Sequence, residues 1–99
     1  MIVRIWHGRT PTHRADEYLA FLVARALPDY RAVPGNRGAF VLRRDEGAIT
    51  HFLTLSHWES MEAVRAFAGA DPSRARYYPE DRGFLLEMEP EVQHYQLHG

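Results

Sequence analysis

The start of the chain is rich in apolar and β-branched residues, as β-strands are. Residues 2–7 therefore predict a strand, and Gly8 is expected to end it. The two faces of this strand would carry Ile2, Arg4 and Trp6 on one side and Val3, Ile5 and His7 on the other. Because neither face is polar throughout, we expect both faces to be covered, one of them by helices.

Two later stretches place apolar residues at helical spacing. The first predicts a helix from about Thr12 to Leu27, and Pro28 is expected to end it because proline cannot donate the next helical hydrogen bond. The second stretch predicts a shorter amphipathic helix, with Ser60 as its N-cap and Gly69 at its C-terminal end.

Three further runs of residues have the composition of β-strands. Residues 39–44 and 49–58 are separated by Asp45-Glu46-Gly47, and together they predict a hairpin. Residues 87–97 predict a last strand at the end of the chain. The long connection before it, residues 71–83, is of a kind that often carries function in a small domain.

The predicted order is strand, helix, strand, strand, helix, strand, which is the ferredoxin-like βαββαβ arrangement. We expect one α+β domain over residues 1–99, with a four-stranded antiparallel sheet. Helices can cover only one face of such a sheet. Because Ile2 and Trp6 would give the other face apolar groups, we expect two sheets to pack face to face in a homodimer.

Composition excludes several classes of function. The 12 basic residues, all arginine, stand against 13 acidic residues, and this lack of a basic excess argues against a nucleic-acid partner. No apolar run reaches the roughly 18–20 residues of a membrane span, and no signal peptide is recognisable, so we expect a cytoplasmic protein without a membrane partner. The absence of cysteine excludes thiolate catalysis and cysteine-based zinc sites.

Two segments resemble a known family. Residues 53–63 form a strand that runs through Trp-Glu-Ser into a helix, and residues 77–81 read Tyr-Tyr-Pro-Glu-Asp. With the element order, they resemble the antibiotic biosynthesis monooxygenase family of dimeric α/β barrels over essentially the whole chain. The resemblance implies a homodimer joined through its sheet faces, with one small-molecule cavity per subunit between sheet and helices. It also implies cofactor-independent oxygenation of aromatic phenols or quinols, or haem degradation.

The resemblance leads to five candidate site residues. His7 would lie on the strand face assigned to the cavity and act as the base, since histidine exchanges protons near neutral pH. Tyr77 would donate a hydrogen bond to a substrate oxygen, because a phenol has an apolar body and a polar tip. Trp58, Phe67 and Tyr78 would be walls of the binding site that exclude water.

Each candidate also has a purely structural interpretation. His7 would then be a hydrogen-bonded histidine at a strand end, and Trp58 and Phe67 would be core residues. The two tyrosines would pack the long connection against the barrel or against the other subunit. Within that connection, residues 80–82 are expected to form ion pairs that hold it in place.

Haem and metal sites are not predicted. The haem-degrading branch uses an asparagine, a tryptophan and a histidine at positions that fall here on His7, Phe67 and about Tyr77, and none of the three matches. The sequence has no His-x-His pair, so we expect a metal site only if it is assembled across strands. We therefore expect no cofactor.

Two functions remain open, and haem binding is a third and weaker alternative. The first is a cofactor-independent monooxygenase that removes a proton from a bound phenol or quinol, after which the substrate anion passes an electron to oxygen. The alternative is a non-catalytic dimeric module that binds a small molecule or supports an assembly.

Overall fold

The computed structural model describes all 99 residues, Met1–Gly99. Its sheet has four antiparallel strands in the spatial order β2-β3-β1-β4. The strands are β1 (Ile2–Pro11), β2 (Asn36–Glu46), β3 (Ile49–Trp58) and β4 (Gln93–Gln96). The predicted ferredoxin-like α+β fold is confirmed. None of the helices combines the length and the apolar character that crossing a membrane requires.

The first helical layer runs further than predicted. It consists of α1 (Ala15–Phe21), a π-helical turn (Leu22–Ala26) and α2 (Leu27–Arg31), so the prediction that Pro28 ends the helix is wrong. In the π-helical turn, the N–H of Leu27 bonds to the carbonyl of Leu22, five residues earlier. Pro28 then lies in the first turn of α2, where a missing N–H is tolerated.

The hairpin and the second helix form as predicted, although β2 is a few residues longer at each end than predicted. The loop between β2 and β3 is only Gly47-Ala48, and Gly47 has a φ of 61°, which favours glycine. The Ser60 hydroxyl accepts a hydrogen bond from the Ala63 N–H at 3.2 Å, capping α3 (Met61–Ala68). Gly69 follows the helix with a φ of 98°.

The last strand is shorter than the predicted residues 87–97. Before β4, the chain pairs with the connection instead of with β1: the N–H of Val92 bonds to the carbonyl of Ser73 at 2.8 Å. The carbonyl of Pro90 likewise accepts from the N–H of Ala75 at 2.9 Å. A short 3-10 helix, Pro79–Gly83, follows in the connection.

The two faces of β1 are the reverse of the prediction. Trp6 lies in the core between sheet and helices, with Ile2 packed against it, so neither covers the open face of the sheet. The polar residue Arg4 also faces the helices, because its buried guanidinium donates to the carbonyls of Pro72 and Arg74. The core face of β1 was therefore not recognisable in the sequence, because it carries a buried arginine.

Gly8 does not end the first strand, which continues to Pro11. A Cβ at Gly8 would lie 2.4 Å from the indole ring of Trp6, and also close to Leu85. The glycine is needed because the indole lies across the strand at this point. His7 is accordingly in the middle of β1 instead of at its end.

Acid is expected to destabilise the fold through His94. Burial, helped by the nearby Arg4 cation, lowers the pKa of His94, whose Nε2 lies 3.1 Å from Arg4 Nη1 and accepts its hydrogen bond. The unfolded chain then binds a proton at His94 more readily than the folded chain does. The stability that depends on a neutral His94 is therefore complete above the ordinary pKa of 6.5 and is lost as the pH falls below it. Urea unfolding between pH 7.5 and 5.0 should show a steeper loss for the wild type than for His94→Gln. Parallel pH profiles of the unfolding free energy for the two proteins would contradict this. His13→Gln is the control, and its profile should follow that of the wild type.

Candidate functional site

A small cavity lies between the sheet and the helices. Its free volume is about 20 Å³, which is room for about one water molecule. Most of its walls are apolar or aromatic, and two charged side chains reach it. The lining residues are Trp6, Tyr18, Leu22, Ala26, Tyr30, Thr54, Phe67, Arg76, Tyr78 and Asp81.

Phe67 is the central aromatic wall of this cavity. Its ring stacks on that of Tyr30, with 4.4 Å between the centroids, and lies 5.5 Å from the ring of Trp58. Trp58 is 0% exposed, does not line the cavity, and donates from Nε1 to the Ser56 hydroxyl at 2.9 Å. Of these two sequence candidates, Phe67 therefore lines the space, whereas Trp58 belongs to the core behind it.

Asp81 is the cavity's carboxylate. It is 3% exposed, and one oxygen accepts from the Tyr18 hydroxyl at 2.8 Å while the other accepts from the N–H of Tyr78 at 2.6 Å. No arginine or histidine forms an ion pair with it, and burial raises the pKa of Asp81. A buried carboxyl group with a raised pKa in a cleft is a typical feature of a proton-transfer site.

Arg76 brings the cavity's positive charge. Its guanidinium lies 4.8 Å from the centre of the Phe67 ring and donates to the Phe67 carbonyl at 3.3 Å. It forms no ion pair, unlike Arg25, which pairs with Glu80. The guanidinium is thus free to meet an anionic group at the mouth of the cavity.

The two neighbouring tyrosines differ in position. Tyr78 lines the cavity, and its hydroxyl donates to Asp29 at 2.5 Å. Tyr77 does not line it, because its hydroxyl donates to the carbonyl of Glu89 at 2.5 Å. Burial raises the pKa of both phenols, and the nearby indole N–H of Trp6 partly lowers that of Tyr77, although it makes no regular hydrogen bond. The predicted contact of the Tyr77 hydroxyl with a substrate in this cavity is therefore not supported.

His7 lies on the opposite face of the sheet from the cavity. Its Nδ1 is 2.5 Å from Glu89 and its Nε2 is 3.1 Å from Nδ1 of His51. The prediction that His7 shares a face with the cavity is wrong, for the same reason that Trp6 was misplaced. His7 instead helps to line a groove of about 320 Å³ on the open face, with Leu42, Arg43, Arg44, His51 and Leu53.

Asp81 and Arg76 were missed as site residues. The expected ion pair of Asp81 with Arg82 does not form, and Glu80 pairs with Arg25 instead. The one local signal for Asp81 is its place three residues after Tyr78, at the start of a proline-initiated turn, where its carboxylate caps the turn. No signal in the sequence brings it to Tyr18, which is 63 residues away.

Comparisons with known proteins agree with one another. The family model described as antibiotic biosynthesis monooxygenase matches residues 1–76. A putative antibiotic biosynthesis monooxygenase from Nitrosomonas europaea superposes with a TM-score of 0.68 at 15% identity, covering 97% of both chains. No curated protein matches the chain.

Two further solved structures carry ligands. The haem degrader MhuD from Mycobacterium tuberculosis, with two haems in its active site, has a TM-score of 0.65 at 24% identity and covers 98% of this chain and 95% of its own. The monooxygenase ActVA-Orf6 of Streptomyces coelicolor, in complex with nanaomycin D, has a TM-score of 0.64 at 18% identity, with coverages of 99% and 88%. At these identities the likeness supports the fold.

Proposed function

Because the chain belongs to the antibiotic biosynthesis monooxygenase family, we propose that it is a monooxygenase that binds a small aromatic phenol or quinol between sheet and helices. The observation that carries this proposal is the pairing of aromatic walls with Asp81, a buried carboxyl group without a counter-ion. Such a cavity suits a flat apolar molecule with one acidic hydroxyl.

Asp81 is the proposed base. It takes the phenolic proton, and Tyr18 holds the carboxylate in place through its hydrogen bond. The substrate anion then reduces O₂: one oxygen atom enters the substrate, the other leaves as water, and the substrate supplies the electrons. Arg76 at the cavity mouth stabilises the negative charge on the bound anion. His7 has no part in this mechanism, because the sheet separates it from the cavity.

The cavity must widen before a ring can enter, since about 20 Å³ holds no more than about one water molecule. The wall between cavity and solvent includes Tyr78, which is held to the helical layer by its hydrogen bond to Asp29. The neighbouring ion pair between Arg25 and Glu80 is about half exposed, and exposed pairs contribute little stability. Displacement of Tyr78 is therefore the proposed route of entry.

The lining residues do not fit haem. No histidine or cysteine reaches the cavity, and the hydroxyls of Tyr18, Tyr30 and Tyr78 are already hydrogen-bonded to Asp81, Thr54 and Asp29. A haem iron would find no free axial ligand among these groups. The mechanism above accordingly uses only the substrate, oxygen and the residues of this chain.

Oxygen consumption with a panel of phenols and quinols tests the proposed activity. We expect at least one quinol to be oxidised faster with protein than without it, with one O₂ consumed per molecule of product. If no compound of the panel causes protein-dependent oxygen uptake and none binds in a fluorescence titration, the proposed enzymatic activity is rejected.

The nearly filled cavity favours a second candidate, a non-catalytic dimeric module. The packing of Phe67 against Tyr30 leaves little space that a ligand could use without rearrangement. Binding of a panel compound without oxygen uptake would support a small-molecule-binding module, and absence of both would support a structural one.

The open face of the sheet is the proposed homodimer interface. It carries a patch of apolar side chains, of which Phe40 is 54% exposed, Leu42 44% and Tyr95 55%. Exposed apolar surface of this kind is typical of a protein–protein contact. The same face also carries Val3, Ile5, Leu53 and Leu55.

Phe40→Glu is expected to disrupt this dimer, because it would bury a charge in the apolar patch. Light scattering should give about 23 kDa for the wild type, twice the 11.5 kDa of one chain, and about 11.5 kDa for the variant. Val23→Glu, which replaces a 50% exposed apolar residue on the helical layer, should leave the mass unchanged. A wild-type mass of one chain would overturn the proposed interface.

A further inference from the structure

A second groove lies on the surface beside the cavity that contains Asp81. This outer groove has a free volume of about 570 Å³, and its lining residues are Tyr77, Tyr78, Pro79, Arg82 and Met88. Tyr78 is the one residue that lines both spaces. Since displacement of Tyr78 is the proposed route of entry, the same movement would join the cavity to the outer groove.

The cavity and the outer groove differ greatly in size. The cavity of about 20 Å³ has room for about one water molecule, whereas small-molecule sites usually have about 300–1,000 Å³. The outer groove falls within that range. A ligand that reaches the cavity would therefore be held in large part by the outer groove, and only one end of it would lie beside Asp81.

Most residues of the outer groove are apolar or aromatic. Pro79 is a rigid apolar ring, and Met88 is an exposed, flexible side chain of the kind that adapts to different ligands. The hydroxyls of both tyrosines already donate hydrogen bonds within the chain. What the groove offers a ligand is thus mainly apolar surface, which suits a hydrocarbon chain.

Arg82 is the only charged residue that lines the outer groove. It forms no ion pair, because the two acidic residues before it are engaged elsewhere. Asp81 accepts hydrogen bonds in the cavity, and Glu80 pairs with Arg25. A guanidinium without a partner is suited to a carboxylate, whose two oxygens match its planar fork of N–H groups.

The acidic residues on either side of Met88 do not line the outer groove and have partners of their own. Glu87 pairs with Arg9, and Glu89 contacts His7. An anion in the groove would therefore meet a cation and no lining carboxylate. The charge of the groove is complementary to a ligand with one negative group.

We propose that the outer groove is a subsite for an apolar side chain of the substrate that ends in a carboxylate. This rests on the proposed function, because the phenol or quinol ring would occupy the widened cavity beside Asp81. The side chain would then pass the displaced Tyr78 and lie against Pro79 and Met88, with its carboxylate at Arg82. The substrate class is thus a phenol or quinol that carries a carboxyalkyl chain.

Calorimetric titration with three phenols tests the subsite without requiring turnover. The probes are phenol, para-hexylphenol, and the acid in which the last methyl group of the hexyl chain is replaced by a carboxyl group. Hexylphenol should bind more tightly than phenol, since its chain buries apolar surface. The acid should bind about fivefold more tightly than hexylphenol at low ionic strength, the upper range for an exposed charge pair, and salt should reduce this preference.

Arg82→Gln should remove the preference for the acid and leave the affinity for hexylphenol unchanged. A purely structural role of Arg82 would alter the binding of both compounds. Arg65→Gln is the matched control, because Arg65 is an exposed arginine on α3 that lines neither the cavity nor the outer groove. This control should retain the wild-type preference.

The outcomes separate the subsite from the proposed oxygenation. Equal binding of the acid and hexylphenol by the wild type, or a preference that survives Arg82→Gln, would overturn the subsite and leave the oxygenation of simple quinols untouched. A preference that depends on Arg82, without oxygen uptake by any quinol, would support the subsite and reject the oxygenation. If neither long-chain compound binds, the subsite is overturned, and oxygen consumption with quinols that lack a side chain decides the oxygenation.

Discussion

Asp81→Asn is expected to lower the rate of substrate oxidation by about 10²–10⁴-fold, the usual contribution of a positioned general base. Asparagine has nearly the same shape as aspartate but cannot take up the phenolic proton. The KM should change little, because the aromatic walls that hold the substrate, Phe67 and Tyr30 among them, are unaffected. A fall in kcat at constant KM separates loss of the base from loss of binding.

The substitution is compatible with the local hydrogen bonds. The asparagine oxygen can accept from the N–H of Tyr78, and its amide can donate to the Tyr18 hydroxyl, which is free to rotate. The fold should therefore persist, and circular dichroism would verify it. Wild-type activity should also fall on acidification, as Asp81 becomes protonated at a pH above its ordinary pKa of 3.8.

Glu80→Gln is the matched control. Glu80 is adjacent in sequence and also carries a carboxylate, but it is exposed, lies outside the cavity, and pairs with Arg25. Its substitution should leave kcat within about twofold of the wild type, since exposed ion pairs contribute little. Equal losses in the two variants would point to a disturbed connection instead of a missing base, and an active Asp81→Asn would remove Asp81 from the mechanism.

The strand and helix pattern could be predicted because it depends on local periodicity. Ser60 and Gly69 bound α3 as expected, since capping is decided within a few residues. The boundary at Pro28 could not be predicted, because the π-helical turn before it changes which N–H groups are needed. Local rules thus located the elements and failed where the backbone hydrogen bonding was irregular.

The orientation of β1 required information that periodicity does not contain. Val3 and Ile5 are apolar on the open face, whereas Arg4 is buried on the core face, so hydrophobicity alone pointed the wrong way. The carbonyls that satisfy Arg4 belong to Pro72 and Arg74, nearly 70 residues away. The error placed His7 in the cavity.

The candidate base was missed for the same reason. Asp81 is polar and lies in a long connection, where a solvated or ion-paired side chain is the ordinary expectation. Its burial depends on the packing of residues 79–83 against Tyr18, and its raised pKa follows from that burial. A site assembled from a helix and a distant turn has no spacing that a single sequence can reveal.

Trp58→Ala is expected to reduce the free energy of unfolding by about 3–5 kcal/mol. Trp58 is 0% exposed, and its ring packs against the stacked rings of Phe67 and Tyr30, with centroid distances of 5.5 and 6.5 Å. Truncation would remove these contacts, leave a cavity that the sheet cannot close, and deprive the Ser56 hydroxyl of its donor. Because domains of this size are stable by only about 5–15 kcal/mol, much of the total would be lost.

Urea unfolding measures this loss, and two comparisons show its cause. Trp58→Phe retains most of the ring volume and loses the hydrogen bond to Ser56, so it should cost about 1–2 kcal/mol. Added indole should raise the melting temperature of Trp58→Ala but not of the wild type, since a dry apolar cavity binds a molecule of the missing shape. A loss below about 1 kcal/mol without indole rescue would mean that Trp58 is not a core residue. The packing of Trp58 behind Phe67 would then have to be revised. The proposed site would also lose the argument that its Phe67 wall is rigid.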